Sequence, residues 1–76
     1  MKIYLIKNEG HTRKSWDENA GHVIAANTEE EVRDIAKIAA RGEGPEVWDA
    51  ATVTMVGEYT GTKVEPFIIL TDFHAG

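Results

Sequence analysis

Residues 27–44, NTEEEVRDIAKIAARGEG, contain the strongest local signal in the chain and predict its one helix. Thr28 is placed to accept a hydrogen bond from the amide of Glu31, while the Glu31 carboxylate reaches back to the amide of Thr28. This reciprocal arrangement is the capping box that begins many helices. Three consecutive glutamates in the first turn also suit the positive end of the helix dipole. The helix is therefore predicted to begin at about residue 28.

The same stretch indicates where the helix ends and which side it buries. Apolar residues recur at spacings of three and four and form a narrow stripe along one side: Val32, Ile35, Ala36, Ala39 and Ala40. Gly42 follows Arg41 in the position where a left-handed residue commonly ends a helix. We therefore predict a helix over about residues 28–41, whose small alanines approach a sheet closely.

Short apolar segments on both sides of this helix predict four strands. β-Branched, aromatic and aliphatic residues bounded by turn residues are typical of strands. Four segments have this character: KIYLIK (2–7), HVIAA (22–26), ATVTMVGEY (51–59) and FIILTDF (67–73). Segment 8–21 has no apolar period and is predicted to be a loop that joins two antiparallel strands. Gly57 is expected to mark a bulge or an early end of the third strand.

The predicted architecture is an α+β two-layer sandwich with one helix on a four-stranded, mostly antiparallel sheet, in the order β-β-α-β-β. The composition agrees with a single ordered domain over residues 1–76, because 42% of the residues are hydrophobic and 28% are charged. The closing segment FIILTDFHAG (67–76) is expected to lie between two neighbours in the interior of the sheet, because its apolar side chains continue without a break.

The first and last predicted strands have apolar residues on both faces, although a single helix covers only one face of a sheet. Three candidates could cover the second face: the 8–21 loop with Trp16, the connector with Trp48, or the same face of a second copy. A homodimer is a reasonable source of buried area for a small chain without disulfides. A monomer would require the loop to cover this face.

The charge and cysteine content exclude several classes of function. The net charge is −5 and the eight basic residues are scattered, so direct binding to nucleic acid lacks its usual electrostatic source. The apolar run between Lys2 and Lys7 is far shorter than a signal sequence or a membrane span. The chain has no cysteine, which fits a reducing cytoplasm. We expect a cytoplasmic protein without direct nucleic-acid or membrane contact.

The sequence predicts no catalytic, metal or cofactor site. His11, His22 and His74 do not have a metal-ligand spacing, and no phosphate-binding glycine motif is present. His22 is expected to be partly exposed at the start of the second strand. Asp72 and His74 would share one strand face with backbones about 6.5 to 7 Å apart, but no nucleophile lies near them in the sequence.

Four residues are candidates for binding: Trp16, Trp48, Asp72 and His74. The two tryptophans lie outside the predicted helix and strands. A tryptophan in such a position is either a lid over one end of the core or an exposed anchor in an interface. Asp72 and His74 lie near the end of the last strand, where it is expected to leave the sheet.

The chain resembles a group of small, uncharacterised bacteriophage and prophage proteins of similar length. The resemblance rests on IYLI (3–6), VIAANTEEEVRDIA (23–36), GPEVW (44–48) and ILTDFHAG (69–76), and spans nearly the whole chain. No activity is established for that group. The resemblance therefore implies a phage origin and a location in the host cytoplasm, and it assigns no role to any residue.

Small size, acidity, two tryptophans outside the regular elements and an uncovered sheet face together favour a non-enzymatic accessory protein. We expect it to bind an unidentified host or phage protein in the cytoplasm. The alternative is a module that binds a small ligand or nucleotide derivative, with sites between the subunits of a dimer and Trp16 or Trp48 stacked on a base. An enzyme that uses Asp72 and His74 is the third hypothesis.

Overall fold

The computed structural model describes residues 1–9 and 17–74, the last of these by its backbone alone. Their elements are β1 (Lys2–Lys7), β2 (Glu18–Ala26), α1 (Glu29–Ile38), a 3₁₀ helix (Pro45–Asp49), β3 (Thr52–Glu58) and β4 (Phe67–His74). The predicted α+β fold, with one helix and a four-stranded antiparallel sheet in the order β-β-α-β-β, is confirmed. In the described part of the chain, no helix has the length and apolar character needed to cross a membrane.

The strands lie in the spatial order β3-β1-β2-β4, and all neighbours are antiparallel. β1 and β2 pair across the long connection between them, as predicted. Among the described strands, β4 pairs only with β2 and is an edge strand, so the prediction that it lies between two neighbours is wrong. Both edges of β1 are already occupied by β2 and β3. After β3 the chain therefore crosses to the opposite side of the sheet, where β4 pairs with the second edge of β2.

The beginning of α1 follows the predicted capping box with one difference. The Glu31 amide donates a hydrogen bond to the Thr28 side-chain oxygen at 3.2 Å, which makes Thr28 the N-cap. The Glu31 carboxylate accepts a hydrogen bond from the amide of Asn27 at 2.7 Å, and not from the amide of Thr28. The capping box thus reaches one residue further back than predicted and also fixes the end of β2.

α1 ends at Ile38 with Ala39 as its C-cap, before the predicted end at Arg41. The side-chain amide of Asn19 donates to the Ala39 carbonyl at 3.0 Å, and the Gly42 amide donates to the Asp17 carbonyl at 2.8 Å. These contacts with the start of β2 turn the chain away from the helix axis. The left-handed glycine is Gly44, with φ of 79°, so the prediction for Gly42 is wrong.

β2 begins at Glu18, inside the segment predicted to be a loop. Residues 18–21 carry no apolar pattern, yet Glu18 and Asn19 are buried and their backbones pair with the end of β4. This early start places His22 in the middle of the strand, where it is 2% exposed. The expectation of a partly exposed His22 is therefore wrong, because the strand extends four residues beyond its apolar part.

The core lies between one face of the sheet and the two helices. Its buried apolar residues are Tyr4, Ile6, Ile24, Ala26, Val32, Ala36, Trp48 and Ala51. The guanidinium of Arg33 on α1 donates to the carbonyls of Trp48 and Ala51, each at 2.8 Å, and holds the 3₁₀ helix beside α1. Both helices therefore cover the same face of the sheet.

Each edge strand contains a bulge. In β3, Met55 pairs with Tyr4 and Gly57 pairs with Ile3, so Val56 is the extra residue. This bulge lies next to the position predicted from Gly57. In β4, Ile69 is the extra residue between two successive pairs with β2.

Candidate functional site

The sheet face opposite α1, here called the open face, consists of three rows of side-chain positions that follow from the strand register. The first row is Thr52, Lys7, Gly21 and Asp72; the middle row is Thr54, Leu5, Val23 and Leu70; the third row is Gly57, Ile3, Ala25 and Phe67. The middle and third rows are predominantly apolar. The first row contains one cation and one anion.

The third row is partly covered by the segment that follows β3. The Tyr59 ring meets the Phe67 ring edge to face, with centroids 5.2 Å apart. The Lys63 ammonium lies 4.3 Å from the Phe67 ring centroid, and the Lys63 amide donates to the Tyr59 hydroxyl at 3.1 Å. This segment was not among the predicted covers, and the connector with Trp48 lies on the opposite face. The first and middle rows are left without a cover from the described residues.

A groove of about 370 Å³ lies over the first and middle rows of the open face. Its lining includes Leu5, Lys7, Gly21, Leu70 and Asp72. Gly21 forms part of its floor, and a Cβ atom at this position would lie 2.9 Å from the Ile6 carbonyl oxygen. Only glycine fits there without a shift of the backbone, so the space between Lys7 and Asp72 stays open.

Three exposed apolar side chains on β4 form a second feature, here called the β4 edge surface: Ile69, Leu70 and Phe73, which are 45%, 65% and 39% exposed. Leu70 belongs to the open face. The Phe73 ring lies 4.9 Å from the guanidinium carbon of Arg41, which follows α1 on the other side of the sheet. Exposed apolar residues on both faces of an edge strand form a surface that can associate with another chain.

Of the predicted binding residues that the structure describes, Trp48 and Asp72 lie on opposite faces of the sheet. Asp72 is exposed and borders the groove. His74 is the last residue of β4, and its backbone pairs with Glu18. Trp48 is fully buried on the opposite face, so it is a core residue and not an exposed anchor. Trp16 lies outside the described residues, as does His11.

Sequence reasoning missed the role of Glu43, a buried carboxylate between α1 and the 3₁₀ helix. Its Oε2 atom accepts a hydrogen bond from the Trp48 indole at 3.0 Å, and its Oε1 atom accepts from the amides of Asn19 at 2.9 Å and Arg41 at 3.1 Å. Burial on its own raises the pKa of Glu43, but these hydrogen bonds favour the ionised form and the net pKa is lowered. The sequence signal, Glu43 between two glycines, indicates only a turn.

His22 lies beside Trp48, with ring centroids 5.1 Å apart. Its Nδ1 atom is 2.8 Å from the Thr71 hydroxyl on β4, whereas its buried Nε2 atom has no hydrogen-bond partner in the part of the chain that the structure describes. Burial lowers the pKa of His22, and the negative charge of Glu43 partly opposes this shift. His22 therefore favours the neutral state and joins edge strand β4 to β2.

Comparison of the chain with protein-family models, with curated proteins and with solved structures found no match. The interpretation of the open face and of β4 therefore depends on the geometry and chemistry of the described residues themselves.

Proposed function

We propose that this chain is a small non-enzymatic accessory protein that binds another protein in the cytoplasm through the β4 edge surface. The observation that supports this proposal is the exposure of Ile69, Leu70 and Phe73 on both faces of a strand whose outer edge has no neighbour among residues 1–9 and 17–74. The resemblance to small phage proteins supports a phage-encoded protein with a host or phage partner.

Side chains and backbone both contribute to such an interface. Full burial of one large apolar side chain contributes about 1.5 to 3 kcal/mol, and the three side chains of the β4 edge surface are already partly covered. The bulge at Ile69 interrupts the regular edge, so a partner strand would pair with residues 70–74. An interface of three apolar side chains and one short strand pairing favours a partner that binds reversibly.

The charge of the chain favours a different protein over a second copy. Each chain carries −5, so two copies would bring a total of −10 into one particle. A neutral or basic partner avoids this repulsion. A homodimer through the same surface stays the alternative, because β4 can pair with itself around a twofold axis.

Site-specific photocrosslinking in bacterial cytoplasm tests the proposal. A photoreactive phenylalanine analogue replaces Phe73, and a control chain carries it at Ile38, which is 87% exposed on α1. We expect a discrete adduct with another protein from position 73 and none from position 38. Leu70→Asp should abolish the adduct from position 73, whereas the matched change Ile38→Asp should preserve it, because only Leu70 belongs to the β4 edge surface.

Three other outcomes would contradict the proposed partner. An adduct with the mass of two chains would favour the homodimer. The absence of any adduct from position 73, or an adduct that persists after Leu70→Asp, would show that the β4 edge surface is not the binding site.

A small-ligand module is the second candidate function, and the groove on the open face favours it. The version in which Trp48 stacks on a nucleotide base is not supported, because the Trp48 side chain is fully buried. A small-ligand site on the open face would use other residues.

A further inference from the structure

We propose that the groove on the open face binds an apolar α-amino acid through its ammonium group, its carboxylate and its side chain. The charged residues of this site are Lys7 and Asp72, whose side chains the protein-binding proposal does not use. The inference therefore goes beyond the proposed function, although Leu70 borders both surfaces.

Lys7 and Asp72 lie in the same row of the open face, on the two strands that flank β2. Two strand spacings separate their backbones by about 9.5 Å. Neither side chain has an ion-pair partner in the described part of the chain. Gly21 lies between them and has no side chain, so β2 leaves the intervening space unfilled.

One cation and one anion on opposite sides of the groove suit a small zwitterion. A charge-assisted hydrogen bond spans about 2.8 Å, and an α-amino acid carries its carboxylate and ammonium group on one carbon. In a ligand seated over Gly21, the carboxylate would accept a hydrogen bond from Lys7 and the ammonium group would donate one to Asp72. A nucleotide or another polyanion is disfavoured because the Asp72 carboxylate would repel it.

The apolar part of the ligand is specified by the middle row. Leu5, Val23 and Leu70 lie directly beside the two charged residues. An apolar side chain packed on these residues gains about 25 cal/mol for each Å² removed from water. The groove volume of about 370 Å³ is within the range of about 300 to 1,000 Å³ that is typical of small-ligand sites.

Titration of the purified full chain with leucine, followed by amide NMR shifts, tests the proposal. We expect saturable shifts at Lys7, Gly21, Val23 and Asp72 at leucine concentrations up to about 10 mM, which would saturate a site with a Kd near 1 mM. Leucinamide, which lacks the carboxylate, and N-acetylleucine, which lacks the ammonium, should each bind about tenfold more weakly. Glycine should also bind more weakly because it has no apolar side chain.

Variants locate the site on the open face. Lys7→Gln and Asp72→Asn should each weaken leucine binding about tenfold, the loss expected for one charge-assisted hydrogen bond. Lys2→Gln on the same strand and Asp34→Asn on α1 are matched controls at exposed positions outside the groove, and should leave binding unchanged. All four positions are exposed, so the folded spectrum should be retained.

Leucine binding that is unaffected by both groove variants, or no saturable shift at all, would overturn the inference. Either result would leave the photocrosslinking prediction intact, because that experiment depends on Phe73 and Leu70. Loss of the crosslink with retention of leucine binding would reject the protein-binding proposal alone.

Discussion

Glu43, His22 and Trp48 form a buried cluster below the end of α1 that joins several elements. The Glu43 carboxylate bonds to the backbone of β2 and to the Trp48 indole on the 3₁₀ helix. His22 contacts the Trp48 ring and bonds to Thr71 on β4. A buried carboxylate that accepts several hydrogen bonds stabilises the fold, and loss of one partner leaves a buried polar group unsatisfied. The cluster therefore positions both the helix end and the edge strand.

The lowered pKa of His22 predicts that acid destabilises the fold. Above the ordinary histidine pKa of 6.5, His22 is neutral in both the folded and unfolded states, and stability is fully present. As the pH falls below 6.5, the unfolded chain binds a proton that the folded chain does not, so the free energy of unfolding decreases until the pH passes below the folded pKa. Urea unfolding between about pH 7.5 and pH 5 should show this decrease.

His22→Gln provides the comparison for this prediction, because glutamine does not titrate. The variant should be less stable than the parent at neutral pH, and the part of the pH dependence that belongs to His22 should be absent. An NMR titration in which the His22 ring of the folded chain has a pKa at or above 6.5 would contradict the prediction.

Buried polar residues were the hardest part of the structure to predict from the sequence. Asn19 and Glu43 are 24 residues apart and have no local pattern that pairs them. Asp72 was a candidate because it lies near the end of the last predicted strand, but the second charged residue of the groove, Lys7, was interpreted only as the end of β1. The groove itself could not be predicted, because it depends on the alignment of three strands and on a glycine between two charged residues.

The beginning of α1 depends on residues that are neighbours in the sequence, whereas its end depends on residues that are distant in the sequence. Its beginning was predicted within one residue because the capping groups, Thr28 and Glu31, are neighbours in the sequence. Its end was predicted too late because Asn19 and Asp17, which are distant in the sequence, bind the chain after Ile38. The strands were predicted where their side chains are apolar, and β2 was missed only in its polar first residues.

The capping geometry predicts the effect of Thr28→Ala on stability. Loss of the side-chain acceptor leaves the Glu31 amide without its 3.2 Å partner, and N-cap substitutions of this kind cost about 1 kcal/mol. Urea unfolding should therefore show a decrease of about that size in the free energy of unfolding. Thr60→Ala, at an exposed position between β3 and β4, is the matched control. Equal stability of the two variants would mean that the cap contributes nothing.

In the described part of the molecule, the sheet has two strand edges without a paired neighbour, the outer edges of β3 and β4. Both strands contain a bulge and expose apolar residues, among them Val56 and Ile69. Bulges interrupt the regular edge and hinder indefinite pairing between copies, and the net charge of −5 adds repulsion. The outer edges of β3 and β4 are thus protected against aggregation, while the side chains of the β4 edge surface are accessible to a partner.

Binding of a partner through the β4 edge surface requires that the outer edge of β4 is free in the isolated protein. Amide hydrogen exchange of the dilute purified chain tests this requirement most directly. Both edges of β2 are paired, so its amides should exchange slowly along the strand and serve as the internal reference. In β4, the amides that bond to β2 should be slow and those that point away from it should be fast. Slow exchange at both sets of β4 amides would show that the outer edge of β4 is already covered, and would contradict the proposed binding through the β4 edge surface.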